Sequence, residues 1–379
     1  MKKNLYFRAL YGVEQKVFNV GVNGVKTHWN PITNREYAYG SSANVKHNLK
    51  ELFSDISSIV TPKTEFSKVA KVEGGKISIN EDGAGEQGGV SIAIDVENPI
   101  CSIFGAWTSE VPEGAKYAKA ALKSNIMVAD MMPIHSLLQQ LSKSEKGVFC
   151  GDANSSIVLA VGSKKDKTLL KTPEEAAEFA NCSIEDAKKA FASVRPMNLY
   201  EDKRTATGLY KADFAIELDT FGKIKVADIT SGLSDEKINE LVSKGWREME
   251  INGEKYLSPS KEDLIKVWEY LVDALLNWDF TSNNSLHGSV KEALRYSMSL
   301  NAQKLNQCTT ATMYCDDEGK AKAKLALRES KEVYSFNTTN LEKWHVCDGS
   351  DGNTPIKTNI DADYEARELL IQIGKDNIL

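Results

Sequence analysis

Phe214-Ala215-Ile216-Glu217-Leu218-Asp219 alternates large apolar side chains with small or charged ones. Successive side chains of a strand point to opposite faces, so this run reads as a strand with one buried face and one wet face. A second strand is expected upstream, where Leu5-Tyr6-Phe7-Arg8-Ala9-Leu10-Tyr11 is rich in aromatic and apolar residues and Val17-Phe18-Asn19-Val20 continues it. Between the two, Val45, Leu49, Leu52, Phe53 and Ile56 recur at helical spacing. Ser260-Lys261-Glu262-Asp263 caps another helix, with Leu264, Val267, Trp268, Leu271, Leu275 and Trp278 on its apolar face. A strand is expected near Leu294 to Leu300. The order strand, loop, helix, insertion, strand, insertion, strand, helix, strand predicts an α+β fold: a small helix-backed antiparallel sheet carrying large insertions.

The insertions have their own signals. Residues 61–94 place glycines and acidic residues around short β runs and read as a hairpin insertion. Gly75-Lys76-Ile77 lacks the Gly-Lys-Ser/Thr ending of a phosphate-binding loop, which excludes a nucleotide site there. Pro99 to Gly105 is a short apolar segment ending in a glycine turn, and Ala121 to Asp130 reads as a polar-edged strand. Thr172-Pro173-Glu174-Glu175 and Ser183-Ile184-Glu185-Asp186 start two helices. A small helix is expected over 235–243 and a hairpin at Asn252-Gly253. Residues 301–379 mix strand and helix signals and set no order.

Composition bounds the function. A chain of 379 residues, 41% hydrophobic and 26% charged, is ordinary for a globular protein with a large core. No stretch approaches the roughly 18 consecutive apolar residues that span a bilayer, and Arg8 interrupts any leader-like apolar run. A cytoplasmic location with no membrane partner is therefore expected. The net charge is -6, yet residues 1–60 hold eight Lys/Arg against four Asp/Glu. Because attraction to phosphate is local, a basic N-terminal region on an acidic body fits nucleic-acid binding through one face, and fits other roles equally.

Catalytic signals are scarce. None of the five histidines lies in a metal-binding spacing, and there is no G-x-S-x-G elbow. Cys308, Cys315, His345 and Cys347 offer four zinc ligands, but at spacings of no common zinc module, so buried or surface thiols are the default. No cofactor or metal is expected, and no enzyme activity.

The binding signals lie in residues 21–47. The loop 21–40 mixes Lys26, His28, Trp29, Arg35, Tyr37 and Tyr39, which suits phosphate contact and base stacking or, equally, a surface loop covering the core edge. Ser41 or Ser42 caps the following helix, whose first turns carry Asn44, Lys46, His47, Asn48 and Lys50. A helix N-terminus presents unpaired N–H groups and positive potential, so this is a candidate phosphate site or an ordinary capped helix.

Four phrases in this order resemble one family. Gly40-Ser41-Ser42-Ala43-Asn44-Val45-Lys46-His47, Ile103-Phe104-Gly105, Ser124-Asn125-Ile126-Met127-Val128, and Thr207-Gly208-Leu209-Tyr210 with Ala215-Ile216-Glu217-Leu218-Asp219 are similar to motifs of the CRISPR-associated Cascade backbone subunits, the seventh Cas family, which includes DevR-type autoregulators. His47-Asn48 departs from the family, where a basic residue often ends the first motif. The resemblance implies an RRM-like antiparallel sheet with helices on one face, a large insertion and a protruding thumb. It implies a discontinuous core at 1–60, 95–135 and 208–300, the hairpin insertion at 61–94, a helical insertion and thumb at 136–207, and a C-terminal extension at 301–379. It implies a non-catalytic subunit of a type I complex, type I-B-like, whose copies coat guide RNA (crRNA) and present it to target DNA beside other Cascade subunits. A protein coating any spacer must ignore base identity and hold phosphates, while base pairing reads the target. On that basis Lys26, Ser41, Ser42, Asn44, Lys46, His47, Ser124 and Asn125 contact the guide. Lys203 and Arg204 sit in or beside a thumb at 194–207, and Asn283, Asn284 and His287 line the same groove. Two alternatives stay open. A type III-like backbone subunit would cut target RNA with an aspartate in the first long loop, but residues 19–44 hold no Asp and only Glu36 as an acid. A DNA-binding autoregulator would show a helix-turn-helix or basic recognition helix, and none is legible.

Overall fold

The computed structural model describes residues 3–16, 18, 20–21, 24–25, 27–31, 34–65, 69–73, 76–80, 90–92, 95–108, 120–141, 159–162, 167–170, 172–181, 183–193, 206–226, 235–280, 290–344 and 356–378. In chain order the elements that matter begin with β1 (Asn4–Lys16), the hairpin strands β2 (Thr27–Asn30) and β3 (Arg35–Ala38), and helix α1 (Ser42–Ser57). Helix α2 (Pro99–Phe104), strand β4 (Ile126–Val128), strand β5 (Ala206–Glu217), helix α3 (Lys261–Asn277) and strand β6 (Val290–Ser299) follow. The C-terminal part adds β7 (Thr309–Cys315), β8 (Ala321–Leu327), β9 (Tyr334–Asn337) and helix α4 (Ala362–Asn377).

The central sheet runs β4-β5-β1-β6-β9, with every neighbour antiparallel. The short segments Met132–Pro133 and Gln139–Leu141 continue the β4 edge along β5. With β1, α1, β4, β5, α3 and β6 taken in sequence, the chain follows a β-α-β-β-α-β path, the split βαβ plan. β5 and β1 are central because their long apolar runs supply both faces of the sheet. On one face Leu5, Phe7, Ala9, Tyr11, Tyr210, Phe214, Ile216 and Tyr296 meet Val45, Leu49 and Phe53 of α1 and Trp268, Leu271 and Leu275 of α3. The helical spacing seen in sequence is thus the spacing of the face each helix buries. Ser41 caps α1 and Ser260 caps α3 with side-chain oxygens that accept from Asn44 N–H and Asp263 N–H.

The opposite face is covered as well. Leu10, Leu209 and Leu294 lie beneath Leu325 and Leu327 of β8 and Leu341, with Trp344 against them. Arg8 is 2% exposed on this face. Its guanidinium grips Asp213 and donates to Asn306 Oδ1 and the Thr309 carbonyl, so its charge is paired where it is buried.

Several expectations change in detail. The loop 21–40 contains the β2–β3 hairpin. Pro99–Phe104 is a helix, because Asn98 caps it and proline suits its first turn. The expected strand from Ala121 to Asp130 is split into Ala120–Leu122 and β4, since Ser124 and Asn125 use their side chains on neighbouring backbone. Glu217, expected on the wet face, is 7% exposed and held by Lys123 and Thr220. The C-terminal stretch joins the core: β9 is a sheet edge, and α4 packs on α3, where the Trp268 indole N–H donates to the Leu370 carbonyl at 2.8 Å. Among the described residues no helix is long and apolar enough to cross a membrane.

Candidate nucleic-acid interface

The start of α1 is built from three directions. Gly40 exchanges backbone hydrogen bonds with Met131, at 2.9 and 2.7 Å, which docks the helix start on the β4 edge. The Ser42 N–H donates to the Asp130 carboxylate at 2.6 Å. Asn44 donates its side-chain amide to the Phe18 carbonyl and accepts from Asn48. The helix terminus expected to face phosphate therefore already holds an acidic side chain of the chain itself, and a carboxylate there partly cancels the positive end of the helix. The cations that remain at its flank are Lys46 and Lys50, with His47 exposed beside Glu51.

Lys46 leads into the second phrase group. Its ammonium donates to Ser124 Oγ at 2.8 Å, and burial, with Lys50 adding repulsion, lowers its pKa. Ser124 Oγ in turn donates to the Ile103 carbonyl at 2.8 Å. The Asn125 backbone N–H donates to the same carbonyl, and Glu217 N–H donates to the Asn125 carbonyl. The Asn125 side chain, 6% exposed in the residue as a whole, donates to Thr220 Oγ1 and accepts from Gly222 N–H. The four phrases, more than 170 residues apart in sequence at their extremes, thus interlock in one junction. Ser41, Ser42, Asn44, Lys46, His47, Ser124 and Asn125 are brought together there, with Asn125 holding the fold from inside and Lys46 and His47 toward its surface. Lys26, Lys203, Arg204, Asn283, Asn284 and His287 lie outside the described residues, as does most of the thumb span 194–207.

The β2–β3 hairpin leads directly into this junction. His28 stacks on Tyr39 with ring centroids 4.1 Å apart, so two of its aromatics face each other, while Trp29 is 56% exposed. Beyond the hairpin lies a cleft of about 650 Å³ that the sequence did not reveal. Arg35, Leu137, Met313, Tyr314, Lys320 and Lys322 line it, together with Ala321 and Ala323. The signal present in the sequence was the Asp317-Glu318-Gly319 turn between alternating runs, which marks a hairpin but not what faces it.

The zinc reading of the cysteines does not hold. Cys308 is buried at the end of the helix Ala302–Cys308, and Cys315 is exposed at the far end of β7. A strand rising about 3.3 Å per residue separates them by roughly 20 Å, so they share no ion. His345 and Cys347 lie outside the described residues, and no metal-ligand cluster occurs among the described ones.

No family model and no curated protein matches this chain. Among solved structures it is similar to a chain of a "CRISPR RNA-guided surveillance complex", at 8% identity and a TM-score of 0.40, covering 98% of this chain and 99% of that one. A chain of a "CRISPR RNA-guided surveillance complex, pre-nicking" aligns at 8% identity and a TM-score of 0.40, covering 78% of each. A chain of the "Csm3-Csm4 subcomplex in the type III-A CRISPR-Cas interference complex" aligns at 8% identity and a TM-score of 0.28, covering 85% of this chain and 88% of that one. Likeness at this level carries no argument about function, which rests on the residues above.

Proposed function

We propose that this chain is a non-catalytic guide-RNA binding backbone subunit of a type I CRISPR surveillance complex, several copies of which line one guide and present it for pairing with target DNA. What supports the reading most is the junction. The four phrases that resemble the Cascade backbone subunits lie far apart in sequence, yet Lys46, Ser124, Ile103, Asn125 and Glu217 link them by direct hydrogen bonds. Phrases matched by chance have no reason to meet.

The fold narrows how RNA is held. Ordinary RRM domains stack bases on the open face of their sheet. Here that face is filled by Leu325, Leu327, Leu341 and Trp344, so the guide runs along the rim, past the β2–β3 hairpin and the start of α1. Contact there is with phosphates through Lys46 at the flank of α1, since the helix terminus itself is taken by Asp130, and phosphate contact suits a protein indifferent to base sequence.

The test is native mass spectrometry of the chain co-expressed with a CRISPR array and neighbouring Cas genes. Several copies on one guide-length RNA are expected. A monomer that carries no RNA overturns the reading.

A further inference from the structure

We infer that the cleft between the β2–β3 and β7–β8 hairpins is a second contact for single-stranded RNA, in which Tyr314 stacks a base and Arg35 holds a phosphate. The inference rests on the RNA-coating reading above and adds a site that its motifs do not include.

Three observations carry it. First, every charged residue lining the cleft is a cation: Arg35, Lys320 and Lys322. Two of the three are paired with acids of the β7–β8 turn, Lys322 with Asp316 at 2.9 Å and Lys320 with Glu318 at 2.6 Å, which leaves Arg35 as the cation of the cleft open to a phosphate. Asp316 accepts from the backbone N–H groups of Glu318 and Lys320 and pairs with Lys322, and its side chain is 18% exposed against 55% for Lys322. Arg35 has no ion-pair partner among the described residues. Second, Met313 and Tyr314 are about half exposed here, at 52% and 46%, on a strand whose inner end is buried against the sheet. An aromatic ring beside cations in an open groove is the arrangement that binds single strands without sequence preference. Third, the cleft and the α1 junction share one stretch of chain. Arg35 begins β3, and six residues later Ser41 caps α1. At about 3.3 Å per residue that is at most ~20 Å, a span that a few nucleotides bridge. Ala38 N–H donates to the Gln139 side chain at 2.9 Å, fixing β3 against the sheet edge that closely follows Leu137, one of the residues lining the cleft.

An acidic protein segment is the competing occupant, and the experiment separates the two. The full chain is titrated against a fluorescent guide-length RNA across a salt series, as wild type, Lys46→Ala, and Arg35→Ala/Tyr314→Ala. Iodouracil-substituted RNA is photo-crosslinked in parallel. Arg35 and Tyr314 are exposed, and a thermal melt confirms that the double variant folds. The expected result is a loss of at least ~10-fold in affinity for the double variant, a salt slope shallower by ~0.7, and a crosslink at Tyr314 that Tyr314→Phe retains. Wild-type affinity in the double variant while Lys46→Ala is impaired overturns the cleft and leaves the coating reading standing. Wild-type affinity in both variants overturns the coating reading itself. Loss of self-association or partner binding by the double variant, with RNA affinity unchanged, assigns the cleft to protein and also overturns the inference.

Discussion

At the scale of single residues, two glycines carry the packing of the C-terminal part. A Cβ on Gly12 would lie 2.1 Å from Cε2 of Trp344, and one on Gly374 would lie 2.1 Å from Nε1 of Trp268. Both rings are anchored, the first by Glu292 and the second by the Leu370 carbonyl, so neither moves aside cheaply. Gly12→Ala and Gly374→Ala are each expected to cost about 1–3 kcal/mol in urea unfolding. An unchanged midpoint would show that the indoles relocate. Lys291 is a different case. Its ammonium lies 4.0 and 3.8 Å from the ring centroids of Tyr11 and Trp278, and burial lowers its pKa from 10.5 to about 7. Between those values the unfolded chain holds a proton that the folded chain lacks, so this residue makes stability rise as pH increases above about 7. Lys291→Met should raise stability at pH 7 and flatten the wild-type rise toward pH 9. A parallel pH dependence in both proteins would refute the assignment. Lys46→Ala should weaken RNA binding most at low salt and reduce the salt slope by ~0.7. Because Lys46 also holds Ser124, its melting point must be compared alongside; equal loss at all salts would mean that the effect is only structural.

At the scale of elements, the C-terminal helix is the least obvious part of the core. α4 buries Ala366, Leu370 and Ile371 against α3, and Arg367 makes a two-point ion pair with Asp273 at 2.6 and 3.1 Å. Lys223 donates to the Ile378 carbonyl at 2.8 Å, tying the end of the helix to the turn after β5. Truncation before Ala362 should expose Trp268 and abolish a cooperative thermal transition, since large apolar surface is left unpaired. A truncated chain that melts like the full one would mean that α3 finds other cover. The sequence marked α1 and α3 clearly, because each buries one stripe on one partner. α4 was not legible by the same test, as its contacts are divided between α3, β9 and the turn at Lys223. Helix Asp235–Ser243 and the hairpin Arg247–Ser258 were legible because their signals are local: an apolar triplet at helical spacing and an Asn-Gly turn.

At the scale of the whole molecule, both faces of the central sheet are covered, by helices on one side and by β8, Leu341 and Trp344 on the other. Native-state amide exchange should therefore leave Phe7 to Tyr11 and Tyr210 to Ile216 slowest, and the β2–β3 hairpin among the fastest of the described strands. Comparable rates in both would contradict a doubly covered sheet. The same cover moves the candidate RNA path from the sheet to its rim. Read alone, the amino-acid sequence was enough for the α+β class, the two helices that back the sheet, a serine cap at Ser41 or Ser42 and the order of the four phrases, because periodicity, capping and turn chemistry act over a few neighbouring residues. The tertiary structure alone decided that those phrases meet at Lys46, Ser124 and Asn125, that Asp130 sits at the start of α1, that Cys308 and Cys315 are separated by a strand, and that Arg35 and Tyr314 share a cleft. Each of these depends on pairing between distant strands, and the register of such pairs is set by the packing of the whole sheet rather than by any local run of residues.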